Sequence, residues 1–233
     1  MRSLISLPRT IIPACDVELD KFEQLIEVTS DVEKIGAYKI GFSLALKYGL
    51  PKIVEIVRKY TMKPIIYDHQ KAATDIPDTG SIFAKVVGDS GVDAIILFPQ
   101  AGPVTLRAWF QAADKVGLHV IVGGRMTHDA YLVSEGGYIT DEGAERIYDD
   151  AARLGVTDFV VPGNQPEFIR KIRGILGSTI REPIFYAPGF IAQKGQISEA
   201  AKAAGPRWHA IVGRAIYDNP DMRKAAVDLA ASI

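Results

Sequence analysis

The feature that most constrains this chain is a two-part texture repeated from end to end: a short apolar run, then a longer segment of helical spacing. The apolar runs fall at residues 10–16 (TIIPACD), 37–41 (AYKIG), 64–68 (PIIYD), 94–99 (AIILFP), 119–123 (HVIVG), 159–163 (FVVPG), 183–186 (PIFY) and 209–213 (HAIVG). Most do not alternate apolar with polar residues, as a strand with one wet face would. Near-continuous apolarity is the pattern of parallel strands covered on both faces. The segments between them, at 21–28, 51–60, 81–89, 104–115, 142–154, 166–176, 198–204 and 220–231, carry charged faces. Several open on Pro or on an Asp or Ser cap, which suits a helix's first turn. Gly91-Val92 and Gly155-Val156, each just ahead of an apolar run, mark helix-to-strand turns.

Eight such units in 233 residues predict an α/β fold: a single (β/α)8 TIM barrel, one domain over residues 1–233. An open doubly wound sheet of this length would use fewer strands, and no GxGxxG follows the first run. No linker, low-complexity tract or shift in composition divides the chain.

Composition narrows the function by exclusion. The formal net charge is −1, so no basic field attracts nucleic acid or anionic lipid, and any anion must be bound locally. One cysteine, Cys15, rules out an internal disulfide and a cysteine-built zinc site, and it is expected to be a buried structural thiol. His69, His119, His128 and His209 lack the spacing of a metal motif, so no metal is expected. The N-terminal MRSLISLPRTII is broken too early by Pro8 and Arg9 for a secretory signal. No apolar run is long enough to span a bilayer, so no membrane association is expected and cytoplasm is the expected compartment.

Active sites of such barrels sit at the C-terminal ends of the strands. That rule selects Asp16 after the first run, Lys39 in the second, and Asp68 at the end of the third with Lys71 and Asp75 close behind. It also selects Arg125, Met126, Thr127 and His128 after the fifth, Pro188 and Gly189 after the seventh, and Gly213 and Arg214 after the eighth. Alternating charges at two adjacent strand ends can neutralise one another as a network, where each alone would be expensive to dehydrate. A solvated surface ion patch is the alternative. The loops after the seventh and eighth runs read APGFIAQKG and VGRAIYDNP, with glycines that permit close backbone approach and an arginine fork suited to phosphate. Two tight turns and a surface arginine would look the same. Their joint position favours a phosphorylated substrate.

At this point YKIG around Lys39, the run D-HQ-K-AAT-DIPDT, the APG…AQ segment and IVGRAIY together resemble the orotidine 5'-monophosphate decarboxylase family, in order from about Asp16 to Tyr217. The resemblance implies a carboxy-lyase that needs no cofactor and converts orotidine monophosphate (OMP) to UMP and CO2 in pyrimidine biosynthesis. It implies that Asp68 lies beside the substrate carboxylate and that Lys71 stabilises and protonates the C6 carbanion. Lys39 and Asp75 would complete the network, with Asp75 and Thr79 reaching the neighbouring site of a homodimer. Asp16 would bind ribose hydroxyls, and Thr127 stands where the family usually has a serine contacting the pyrimidine. Gln193 would bridge base and phosphate, and Arg214 with Gly213, Pro188 and Gly189 would hold the phosphate.

One departure concerns spacing. The family's usual Asp-x-Lys-x-x-Asp is here Asp68-x-x-Lys71-x-x-x-Asp75. In an unbroken strand the extra residue would turn Lys71 to the opposite face, so the backbone must bulge or leave the strand before it. The longer form also brings His69 and Gln70 into reach of the site. Two alternatives remain open. One is a magnesium-dependent sugar-phosphate decarboxylase or aldolase of the same superfamily, whose carboxylate on the second strand is replaced here by Lys39. The other is a non-catalytic barrel that binds a phosphorylated ligand.

Overall fold

In the computed structural model, eight strands alternate with helices. They run β1 (Arg9–Pro13), α1 (Leu19–Thr29), β2 (Tyr38–Gly41), α2 (Phe42–Tyr48), α3 (Leu50–Tyr60), β3 (Ile65–Ala72), α4 (Thr79–Asp89), β4 (Ala94–Leu97), α5 (Pro103–Lys115) and β5 (His119–Gly123). A 3-10 turn (Val133–Glu135) precedes α6 (Asp141–Arg153), β6 (Asp158–Val160), α7 (Pro166–Leu176), β7 (Ile184–Pro188), α8 (Glu199–Ala204), β8 (Trp208–Val212), α9 (Arg214–Tyr217) and α10 (Met222–Ala231). The structure describes residues 3–190 and 198–233, with the side chains of Gln70 and Lys71 excepted.

The strands form one parallel sheet in the order β1-β8-β7-β6-β5-β4-β3-β2. Single bridges from Ile11 to Ile35 and from Ala14 to Lys39 join its two edges. The sheet is thereby a nearly closed (β/α)8 barrel, as the repeat predicts. Burial follows the two-sided pattern: every residue of β2 and β4 is buried. Inward residues such as Ile12, Ile66, Ile96, Ile121 and Ile184 pack as a core inside the barrel, which Ile5 of the N-terminal segment joins. Outward residues meet the helices, as Phe159 and Phe185 do with the Phe168, Ile169 and Ile172 stripe of α7. Helix starts follow the sequence signals. Proline opens α3, α5 and α7, and Thr140, Ser198 and Asp221 accept backbone N–H groups at the starts of α6, α8 and α10. Gly91 and Gly155 adopt φ of +85° and +102°, the left-handed turns their positions require.

The N-terminal half of the barrel holds a buried polar cluster. Asp158 accepts hydrogen bonds from Thr157 Oγ1 at 2.6 Å and from Tyr186 OH at 2.7 Å. His119 Nε2 lies 3.0 Å from its Oδ2, within ion-pair reach although not aligned as a hydrogen bond. Burial would raise the Asp158 carboxyl, but His119, Thr157 and Tyr186 outweigh it and hold it below the usual range. Next to it, His209 Nδ1 shares a 2.7 Å hydrogen bond with Thr10 Oγ1, and burial pushes the imidazole down to about 3. His119 and His209 therefore belong to the closed end of the barrel, as their positions at strand starts predict.

The third strand departs from its expected end. The apolar run stops at Asp68, yet β3 continues to Ala72. Its register against β4 shifts on the way: Tyr67 pairs with Ile95 and Ala72 with Leu97, so five steps of β3 run opposite two of β4. The backbone bulges between those anchors and returns to the sheet, where Ala72 accepts the Phe98 N–H at 2.8 Å. Ala73 then takes a left-handed φ of +69° as the chain leaves.

Candidate active site

The C-terminal mouth of the barrel opens into a cavity of about 310 Å³ lined by Asp16, Lys39, Asp68, Phe98, Thr127, Pro188 and Gly213 among others. That is within the range of small-molecule sites. A hollow of about 320 Å³ on the flank between α5 and α6 holds none of the sequence-predicted residues.

Charge in the mouth centres on Lys39. Its side chain is 8% exposed, and Nζ stands 3.2 Å from Asp68 Oδ2 and 4.0 Å from Asp16 Oδ2. A buried ammonium is tolerated because two carboxylates flank it. Their positions follow from register. Lys39 pairs with Ile66 in β2–β3, and two residues on, Gly41 faces Asp68. Gly41 also makes the room Asp16 needs, since a Cβ there would fall 2.3 Å from Asp16 Oδ1. Beside them Cys15 is fully buried, and burial holds its thiol well above the ordinary range, so it is a packed thiol and not a nucleophile.

The floor and far wall are built by loops. Gly123, at the end of β5, leaves space for the Phe98 ring: a Cβ would meet its Cζ at 2.3 Å. Beyond it Arg125, Met126, Thr127 and His128 line the cavity. At Gly163 a Cβ would sit 1.7 Å from the Pro188 carbonyl oxygen, so glycine alone lets the loops after β6 and β7 touch. Gly189 follows with φ of +85°, and Arg214, exposed, opens α9 directly after Gly213.

At the bulge in β3, Asp68 and His69 point in different directions. Asp68 lines the mouth, whereas His69 lines an outer hollow together with Asp75, Thr79, Ile82, Phe83 and Trp109. His69 Nδ1 is 2.5 Å from Tyr67 OH, and its ring packs edge-on to Phe83. Asp75 is exposed, with Oδ1 accepting its neighbour Ile76 N–H at 2.7 Å and its carbonyl accepting Thr105 Oγ1 at 3.0 Å. Within one chain, then, Asp16, Lys39, Asp68, Thr127, Pro188 and Gly213 converge, while Asp75 and Thr79 face outward. The backbone of Lys71 lies in the bulge, one of the two arrangements its spacing admits. Its side chain, and Gln193, lie outside what the structure describes.

Sequence reasoning missed Phe98 and the anchoring of the β5 loop. Phe98 was legible only as one more apolar residue at a strand end; its facing Gly123 is the signal that could have found it.

Fold and mouth together define a class: a (β/α)8 barrel whose active-site end holds a buried lysine between two carboxylates, opposite a glycine-lined rim. The chain belongs to the orotidine 5'-phosphate decarboxylase / HUMPS family, whose family model matches residues 10–229. It is 34% identical to an orotidine 5'-phosphate decarboxylase of Methanosarcina barkeri over 91% of this chain and 89% of that protein. Among solved structures it is similar to the orotidine 5'-phosphate decarboxylase of Pyrococcus horikoshii, with 30% identity, a TM-score of 0.78, and coverage of 96% of this chain and 99% of that one. The Methanocaldococcus jannaschii enzyme complexed with the inhibitor BMP superposes with a TM-score of 0.81 at 26% identity, covering 97% and 98% of the two chains. No helix among the described residues is long and apolar enough to cross a membrane.

Proposed function

We propose that this chain decarboxylates orotidine 5'-monophosphate to UMP and CO2, without a metal or organic cofactor. The observation that carries the reading is Lys39 between Asp16 and Asp68 at adjoining strand ends. Lys39 stands on the second strand, where a magnesium-dependent member of the superfamily would carry a carboxylate for its metal. The similar proteins named above are orotidine 5'-phosphate decarboxylases, which favours this activity over the sugar-phosphate reactions of the wider family.

In this mechanism Asp68 stands beside the substrate carboxylate, and their like charges are relieved as CO2 departs. The C6–carboxylate bond breaks, the electron pair stays on C6, and the Lys71 ammonium delivers a proton to it. A preorganised cation stabilises that localised carbanion, and the flanking carboxylates keep the lysine charged. Asp16 holds the ribose and Thr127 the base, Gln193 bridges base and phosphate, and Arg214 with the Pro188–Gly189 and Gly213 backbones holds the phosphate. Remote phosphate binding is thereby expressed at the reacting carbon.

The functional unit is a homodimer in which Asp75 and Thr79 enter the mouth of the second copy. Their outward placement supports this, as do the exposed apolar side chains of Ile76, Ile82 and Val86 around them. Loss of orotidine absorbance in excess chelator is the deciding assay. Full turnover is expected; activity abolished by chelation and restored by magnesium would overturn the reading, and no turnover at high enzyme concentration would favour a binding protein.

A further inference from the structure

The loop after β5 carries Thr127 over the cavity, and residues 127–130 are exposed. A loop so exposed needs anchors, and two overlapping ones close it. Tyr131 OH donates to the Gly124 carbonyl at 2.9 Å and is itself held by Gln100 Nε2 at 2.6 Å. Crossing that closure, Arg125 Nη2 is hydrogen-bonded to Glu135 Oε1 in the 3-10 turn. The other oxygen, Glu135 Oε2, accepts the Leu132 N–H at 3.3 Å. The Arg125 guanidinium also lies over the Phe168 ring of α7, 4.9 Å from its centroid, and its backbone N–H donates to Tyr148 OH at 3.3 Å. A planar cation stacked and paired in this way has little freedom to swing. Its charge is met by Glu135, which disfavours a role as a substrate anion receptor.

We propose that the Arg125–Glu135 pair is a positioning device that fixes the β5 loop so that Thr127 meets the pyrimidine. This rests on the reading of Thr127 as a base contact. Arg125 and Glu135 act through Thr127, so their removal should weaken substrate recognition while sparing the proton transfer.

Steady-state kinetics with OMP on Arg125→Met, Thr127→Ala and the double variant test this. Arg125→Met is expected to raise KM about fivefold to tenfold with kcat within about twofold, and Thr127→Ala to do likewise. The double variant should be no worse than Thr127→Ala alone, because residues acting through one another are not additive. Glu135→Gln breaks the pair from its more exposed side and should reproduce the KM rise should Arg125→Met fail to fold. A purely structural role would lower the melting temperature without this dependence on Thr127. If Arg125→Met raises KM by the same factor with and without Thr127, Arg125 acts independently and the proposal falls. If Thr127→Ala raises KM but neither pair variant does, the proposal alone falls. If Thr127→Ala is inert, the base-contact reading falls, and the proposal with it.

Discussion

Asp16 and Gly41 share a space that holds only one of a carboxylate and a methyl group: a Cβ on Gly41 would lie 2.3 Å from Asp16 Oδ1. The carboxylate so placed is the second acidic neighbour of Lys39. Gly41→Ala should therefore rotate Asp16 away without disturbing β2, because the clash is with the end of a flexible side chain. The expected result is an increase in KM for OMP of about threefold to tenfold with little change in melting temperature. Unchanged kinetics would mean that Asp16 does not reach the substrate.

Lys71→Ala should remove turnover by about a hundredfold to ten-thousandfold or more, the range of a lost general acid. UMP binding, measured by calorimetry, should survive. Near wild-type turnover would show that the bulge delivers some other proton donor to C6.

Arg214 opens α9 directly after Gly213, and the proposed function makes it the fork that holds the phosphate. Arg214→Ala should raise KM for OMP by about tenfold or more. Decarboxylation of the phosphate-free nucleoside, slow in any case, should be unaffected. Equal losses for the two substrates would place Arg214 in the fold and not at the phosphate.

If Asp75 serves the second copy, inactive chains can complement one another. Lys71→Ala and Asp75→Asn proteins, each nearly inactive, should regain about one quarter of wild-type activity after mixing and exchange of subunits. Random pairing makes half the dimers mixed, each with one intact site. Absence of recovery, with exchange verified by mass, would keep Asp75 out of the neighbouring mouth.

His209 is buried neutral with its pKa pushed down to about 3 from an ordinary 6.5. Between those values the unfolded chain binds a proton that the folded chain does not, so stability is complete above pH 6.5 and declines as pH falls towards 3. The slope from this one group is at most ~1.4 kcal/mol per pH unit. Denaturant midpoints across that window should show the decline, and His209→Gln should flatten it.

Much of the barrel was legible because both-face burial writes each parallel strand as an apolar run. β5 was predicted at its observed bounds, and so was α7, whose Phe168, Ile169, Ile172 and Leu176 are the buried stripe. α2 was not, since its apolar residues do not define a buried face: Phe42 and Leu46 are exposed and Leu44 alone is buried. In the site, Asp16, Lys39 and Asp68 could be read from strand ends. The Arg125–Glu135 pair could not, because it depends on how an irregular loop folds back on itself. The end of β3 was placed at Asp68: the altered spacing calls for a bulge or an exit before Lys71, but nothing in the local pattern shows that the strand rejoins its ladder at Ala72.

That excursion bears on how other chains of this fold should be compared. Asp68 is fixed by β2 and Ala72 by β4, and the segment between them is slack that the sheet does not measure. An insertion there lengthens a detour and leaves the road on either side where it was. The interval from Asp68 to Lys71 is therefore a poor ruler of kinship, and a search keyed to its length would discard chains whose barrels are otherwise in step.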